Sequence, residues 1–157
     1  MTWVPTHTVG YFIKGNMLLL GLHQRGVSKG FWNGYGGKID EGETVHNSLI
    51  RECSEESGLI PLEFNHVARV SASYGNFQLR VEFFLVSNFD GVLVTTDEMI
   101  PQWFDLNDIP YDKMWPSDEL WLPRVLTGER LRTEVIFDKD RKILQSNVMT
   151  LNKPVLY

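Results

Sequence analysis

Cysteine is nearly absent: Cys53 is the single one in 157 residues, so the chain can form neither an internal disulfide nor a cysteine metal cage, as suits a reducing compartment. Long hydrophobic runs are missing too. No segment approaches the ~20 apolar residues a membrane helix needs, and residues 1–7 lack the basic stretch and apolar core of a secretory leader. Nor is there an excess of positive charge. With a formal net charge of −5, the chain has no basic stripe through which to displace counterions from a nucleic-acid polymer. A small phosphorylated ligand stays open, provided its charge is met by a metal ion, backbone N–H groups or a few basic side chains. Repeats and linkers rich in Pro, Gly or Ser are also lacking. The expectation is one continuous domain over residues 1–157, monomeric and cytosolic, with nucleus or mitochondrion as further compartments and no membrane partner.

What is present is a β-rich pattern interrupted by two helices. Residues 8–13 and 17–22 are apolar, β-prone runs around Lys14-Gly15-Asn16, which reads as a hairpin. Residues 67–73 and 79–86 form a second pair around Gly75-Asn76. A strand over 102–104 and a pair over 133–137 and 143–149, flanking Asp138-Lys139-Asp140-Arg141, complete the set. One helix is expected over 44–57, with Thr44 as N-cap and Gly58 closing it in the left-handed region. Another is expected over 118–126, capped by Ser117. The fold class is α+β, a mixed β-sheet sandwiched between helices.

The first helix carries the chemistry. At ~100° per residue, Val45, Leu49 and Cys53 form one apolar stripe, and Glu52, Glu55 and Glu56 form an adjoining one, with Glu56 falling between Val45 and Leu49. A carboxylate beside an apolar seam is costly unless something pairs with it. Three carboxylates at i, i+3 and i+4 repel one another unless a cation joins them, and a hard divalent ion such as Mg²⁺ suits all-oxygen ligands. A solvated acidic face is the ordinary reading of such a run. The spacing overturns it: Gly37, five residues, Glu43, seven residues, Arg51-Glu52-Cys53, one residue, Glu55-Glu56, one residue, Gly58-Leu59. Gly36 and Gly37 permit a tight approach of the backbone, and Glu43 and Arg51 are spaced to tie loop to helix.

This pattern resembles the Nudix box at every specified position, and the surrounding segments resemble the animal MutT-like oxidised purine nucleoside triphosphatases. Those segments are residues 31–38, 97–99, 103–104 and 114–118. The resemblance implies a Nudix fold and a Mg²⁺-dependent hydrolase, with Mn²⁺ as a possible substitute. It implies metal binding by Glu52, Glu55, Glu56, Glu98 and the Gly36 carbonyl, with the glutamates also catalytic, and a structural role for Gly37, Glu43, Arg51 and Gly58. Substrate contacts would come from Thr8, His23, Asn33, Met99, Trp115, Ser117 and Asp118. The plainer readings are Asn33-Gly34 as a turn, Trp115 as core, Glu98 as loop surface and Asp118 as a helix N-terminal acid. Arg25, Lys29 and Lys38 are candidates for phosphate contact or simply solvated.

Two departures bear on specificity. Ser117-Asp118 stands where the subfamily has adjacent aspartates, and His23 where relatives often have lysine. The expected substrate is a small nucleotide: an oxidised or otherwise modified purine (deoxy)nucleoside triphosphate such as 8-oxo-dGTP, 2-oxo-dATP or a methylated purine dNTP, cleaved to monophosphate and pyrophosphate to sanitise the nucleotide pool. The alternatives are a Nudix hydrolase of another nucleoside diphosphate derivative, such as a dinucleoside polyphosphate, and a non-catalytic Nudix module that binds nucleotide or RNA.

Overall fold

In the computed structural model, residues 2–153 are described; Met1 and residues 154–157, which the expected domain includes, lie outside the described residues. Strands β1 (His7–Lys14) and β2 (Met17–His23) are joined by the tight turn at Gly15 (φ 59°), but the hairpin lasts only two register positions, Ile13 opposite Leu18 and Lys14 opposite Met17. The strands then part. β1 runs between β6 (Phe77–Gly91), parallel to it, and β4 (Tyr35–Lys38), antiparallel. Both of its faces are covered, since consecutive Tyr11 and Phe12 are each fully buried. β2 instead pairs with β3 (Trp32–Asn33) and, along its whole length, with β7 (Met99–Asp105). β5 (Leu59–Tyr74), β8 (Leu131–Phe137) and β9 (Ile143–Thr150) extend the larger sheet beyond β6, giving the order β3-β2-β1-β6-β5-β8-β9.

Five of these strands differ from the sequence reading. β5 and β6 are far longer than 67–73 and 79–86, because register shifts at Pro61/Glu63, Glu63/Phe64 and His66/Ala68 let the ladder absorb poor strand formers. β3 and β4 arise in a glycine-containing segment that strand propensity disfavours. Tertiary fit decides there: a Cβ on Gly36 would stand 1.8 Å from the Thr8 carbonyl oxygen, so only glycine allows β4 to lie against β1. β7 also starts earlier than 102, at Met99.

Helix α1 (Val45–Ser57) is capped as expected. Thr44 Oγ1 accepts from the Asn47 N–H at 3.1 Å, and Gly58, at φ 78°, donates its N–H to the Ser54 carbonyl. Helix α2 (Asp118–Leu126) spans the expected residues, but Ser117 does not cap it. Ser117 is itself in helical conformation (φ −70°, ψ −22°) and its hydroxyl makes no capping bond, because the chain arrives already wound; the Asp118 N–H donates to the Trp115 carbonyl at 2.9 Å.

The core lies in two layers, one on each side of the sheets. Leu49 and Cys53 of α1 pack with Phe12, Leu19, Tyr35, Phe84 and Met99. Trp121 and Leu122 of α2 pack on the opposite side with Tyr11, Leu20, Phe83 and Leu131. A mixed sheet between two helices results, the α+β architecture expected. No helix among the described residues is long and apolar enough to cross a membrane. Gly36→Ala should lower stability to urea by about 1–3 kcal/mol, the cost of overpacking a filled site, and an unchanged urea midpoint would refute the close approach of β4 to β1.

Candidate active site

Helix α1 presents its carboxylates to β4 and to the loop that precedes the helix. Arg51 organises them. Its Nε donates to Glu43 Oε2 at 2.7 Å and its Nη2 to Glu43 Oε1 at 2.9 Å and to the Lys38 carbonyl at 3.1 Å, so one two-pronged pair ties loop to helix. Glu43 is held down at about 2, chiefly by the Arg51 hydrogen bonds and then by the Asp40 N–H, which donates to it at 3.1 Å. Arg51 Nη1 also reaches Glu52 at 2.9 Å and Glu55 at 3.3 Å.

The remaining carboxylates are less well satisfied. Glu52 lies directly on Gly37, where a Cβ would meet its carboxyl oxygen at 2.5 Å. Burial raises its pKa and Arg51 opposes the rise. Glu56 is pushed up to about 8, mostly by burial and then by the like charges of Glu52 and Glu98; its Oε2 is buried and has no hydrogen-bond partner. Glu98, just ahead of β7, accepts from Arg25 Nη2 at 2.6 Å, while its carbonyl accepts from the Gln24 N–H at 2.9 Å.

These side chains do not close into a finished ligand set. Among the described residues no three Asp, Glu, His or Cys side chains converge as metal ligands, since Arg51 draws Glu52 and Glu55 one way and Arg25 draws Glu98 another. The donors nevertheless fit a hard divalent cation: they are all oxygens, they carry mutual repulsion, and one of them, Glu56 Oε2, is a buried orphan for which an ion would be a partner.

Gly36 and Gly37 also form one end of a cavity of about 410 Å³ on the α2 side of the sheet. Its polar groups include the ones the sequence singles out, His23, Asn33, Ser117 and Asp118, beside His7 and Ser28 that it did not, with Trp115 as an aromatic wall. Asn33 Oδ1 accepts from the Gly34 N–H at 2.8 Å and from Tyr11 Oη at 3.3 Å, which leaves the amide nitrogen as the donor available to a ligand. Asp118 is 5% exposed and pushed up to about 7 by burial; its Oδ2 has no hydrogen-bond partner. His23 is kept below its ordinary pKa by burial, with Glu98 acting in the opposite sense. The indole N–H of Trp115 donates to Ser28 Oγ at 2.9 Å, and its ring packs edge-on against Phe31 and Tyr74 and tilted on Phe137.

Two expected contacts fall elsewhere. Thr8 is fully buried on the opposite face of β1, its hydroxyl 3.1 Å from Ser48 Oγ of α1; strand alternation sends Val9 to the cavity in its place. Met99 is likewise fully buried in the α1-side core, its Cε so near Gly21 that a Cβ there would be 2.4 Å away. Lys29 and Lys38 are exposed and do not line the cavity, and Arg25 is engaged with Glu98. The sequence reading missed the apolar floor: Val70, Ala72 and Tyr74 of β5, Leu79, Val81 and Phe83 of β6. Their period-2 alternation was the available signal.

This geometry has counterparts. A NUDIX domain model matches residues 5–125, and the chain belongs to that family. It is 38% identical over 125 residues to the oxidized purine nucleoside triphosphate hydrolase of Danio rerio, covering 78% of this chain and 80% of that one. The Mus musculus protein of the same name is 35% identical over 140 residues, covering 88% and 90%. Among solved structures, the MutT protein of Bacillus halodurans superposes with a TM-score of 0.79 at 19% identity, over 90% of this chain and 95% of that one, a likeness of fold.

The Asp118 carboxyl gives a pH test. Its folded pKa is raised, so between its ordinary value and about 7 the native state binds more protons than the unfolded state, and stability falls as pH rises through that window. The ionisable groups facing it are the phenols of Tyr11 and Tyr111, both themselves pushed up, which stay neutral throughout. Asp118→Asn should therefore gain thermal midpoint relative to the parent at pH 8 and lose that advantage at pH 5; parallel profiles would show that Asp118 is not a buried, protonatable acid.

Proposed function

We propose that the protein is a pyrophosphohydrolase of oxidised or otherwise modified purine (deoxy)nucleoside triphosphates, such as 8-oxo-dGTP and 2-oxo-dATP, releasing monophosphate and pyrophosphate and so cleansing the nucleotide pool. The observation that carries this reading is the continuity of the cavity: groups able to read a purine edge at one end, and at the other the Gly36–Gly37 backbone against which Glu52 and Glu56 stand. The names of the Danio rerio and Mus musculus relatives support it.

A divalent cation, Mg²⁺ with Mn²⁺ as substitute, would be held by Glu52, Glu55, Glu56 and Glu98 with the Gly36 carbonyl, and would supply charge neutralisation at the phosphates and an acidified water. The chain's own residues do the rest. Arg51 holds the loop and the helix in one geometry through Glu43, so the carboxylates of α1 meet β4 without a further search. Asn33 donates to the base edge through its amide nitrogen. Asp118, poised near neutrality, can donate from its protonated oxygen or accept on the bare one, which suits purines whose edges differ in tautomer. The Ser117 hydroxyl adds a second group of the same dual capacity with shorter reach. The Trp115 indole offers a stacking face, and the apolar floor excludes water from the base.

Two measurements test this. Incubation with Mg²⁺ and a panel of modified and unmodified purine triphosphates and dinucleoside polyphosphates should yield pyrophosphate and monophosphate, with the modified triphosphates preferred; failure to release pyrophosphate from any modified purine triphosphate would sink the substrate claim. Glu56→Gln should reduce turnover by about 10²–10³-fold, the scale of losing one preorganised electrostatic group, without lowering the thermal midpoint. Full retained activity would refute a metal-binding role for Glu56.

A further inference from the structure

Beside the cavity, sharing Tyr74 with it, lies a second, open depression of about 520 Å³, whose walls include Phe31, Met114, Pro116 and Arg141. Arg141 belongs to the β8–β9 turn and is the only non-glycine residue with positive φ (65°) among the described residues. An arginine is strained there, and glycine would not be. The turn is held rigidly in that conformation: Asp138 Oδ1 accepts from the Asp140 and Lys142 N–H groups at 2.8 and 2.9 Å, and the Arg141 N–H donates to the Asp138 carbonyl at 3.0 Å. Lys139, Asp140 and Lys142 project into solvent, whereas Arg141 is half-buried.

The strained backbone aims the guanidinium at two rings. It lies 4.8 Å from the centroid of Phe31 and 5.5 Å from that of Trp115, and these two rings meet edge-on at 5.5 Å. Trp115 is thereby gripped by three separate segments: Ser28 on its N–H, Phe31 and Arg141 from outside, and Tyr74 and Phe137 beside it. Tyr74 is anchored to the same turn, its hydroxyl donating to the Lys139 carbonyl at 3.3 Å. Arg141 does not line the inner cavity, so its contact with the indole lies outside it.

We infer that Arg141 is a positioning residue for substrate specificity: by cation–π contact with Phe31 and Trp115 from outside the cavity, it fixes the indole wall on which the purine stacks. This rests on the nucleotide reading of the cavity given above. Ordering the wall before the ligand arrives removes part of the entropic cost of binding, so the residue should govern affinity for the base and leave the phosphorus chemistry untouched.

The test compares Arg141→Gly, Arg141→Gln and Trp115→Ala with the parent protein, using 8-oxo-dGTP for kinetics and 8-oxo-dGMP for binding. Arg141→Gly removes the cation and relieves the left-handed backbone; Arg141→Gln removes the cation and keeps the backbone demand. Both should raise KM and the Kd for 8-oxo-dGMP by about three- to tenfold, the range of one partly desolvated cation–π contact, with kcat within about twofold. The Gly variant should keep or gain thermal midpoint. A Gln variant with unaltered KM and Kd overturns the inference whatever the Gly variant does. If Trp115→Ala itself leaves KM and Kd unchanged, the stacking reading of the cavity fails first, and the inference with it. A raised value for Trp115→Ala beside unaltered Arg141 variants sinks the inference alone.

Discussion

The close approach of β4 to β1 on one side and to α1 on the other sets the position of the Gly36–Gly37 backbone and of the helix carboxylates that meet it. Gly36 lies where any side chain would run into the Thr8 carbonyl, and Gly37 where any side chain would run into the Glu52 carboxyl. Two missing side chains thus let a strand lie in the sheet and a helix carboxylate rest upon it at once. Had either position a Cβ, β4 would shift, and with it the register that brings Asn33 and Gly34, immediately upstream, to the cavity wall. Arg51 completes the constraint from the helix side. Its two-pronged pair with Glu43 and its bond to the Lys38 carbonyl join the loop after β4 to the middle of α1. Such a charge-assisted pair fixes direction as well as distance.

That arrangement concentrates negative charge where burial penalises it. Arg51 and Arg25 offset part of the repulsion, but Glu56 gains no cationic partner and is pushed up to about 8. Local stability is sacrificed at this point, and such sacrifices gather at functional sites. Asp118, across the sheet on the α2 side, shows the same signature for a different purpose. It is a lone acid among apolar and aromatic groups, held near 7 by desolvation. Of the two raised carboxyls, Asp118 lines the cavity and Glu56 stands against the Gly36 backbone at its edge.

Much of this was legible in the residue order because the chemistry clusters locally. The glutamates, Arg51 and the caps of α1 fall within one loop and helix, so spacing and the 3.6-residue period place them together. Gly58 and Thr44 behave as local rules require. Elements that depend on distant partners were not legible. β3 and β4 exist because β1 and β2 receive them, and the long β5–β6 ladder survives on bulges that no local propensity encodes. Ser117 failed as a cap because the turn closed by the Asp118 N–H on the Trp115 carbonyl had already wound the chain. Thr8 and Met99 illustrate the same limit at the site. A resemblance can align a residue with a role, but the pleat decides which face its side chain takes, and here both turn to the α1 core.

The Trp115 end of the cavity therefore has more authors than the residues that line it. Trp115 contributes a ring, yet its plane is set by Ser28 on the loop after β2, by Tyr74 at the end of β5, and by Phe137 and Arg141 at the end of β8 and in the turn beyond it. These segments are far apart in sequence and share no motif, so no short pattern can report them. Each contact alone is worth about 0.5–2 kcal/mol, but together they leave the indole little freedom before a ligand arrives. On the proposed function, the reaction chemistry falls to one helix and one loop, whereas selectivity is distributed over the ends of several strands. Exchange of residues such as Ser28, Phe31 or Arg141 can thus retune what the cavity accepts while α1 and its carboxylates stay as they are.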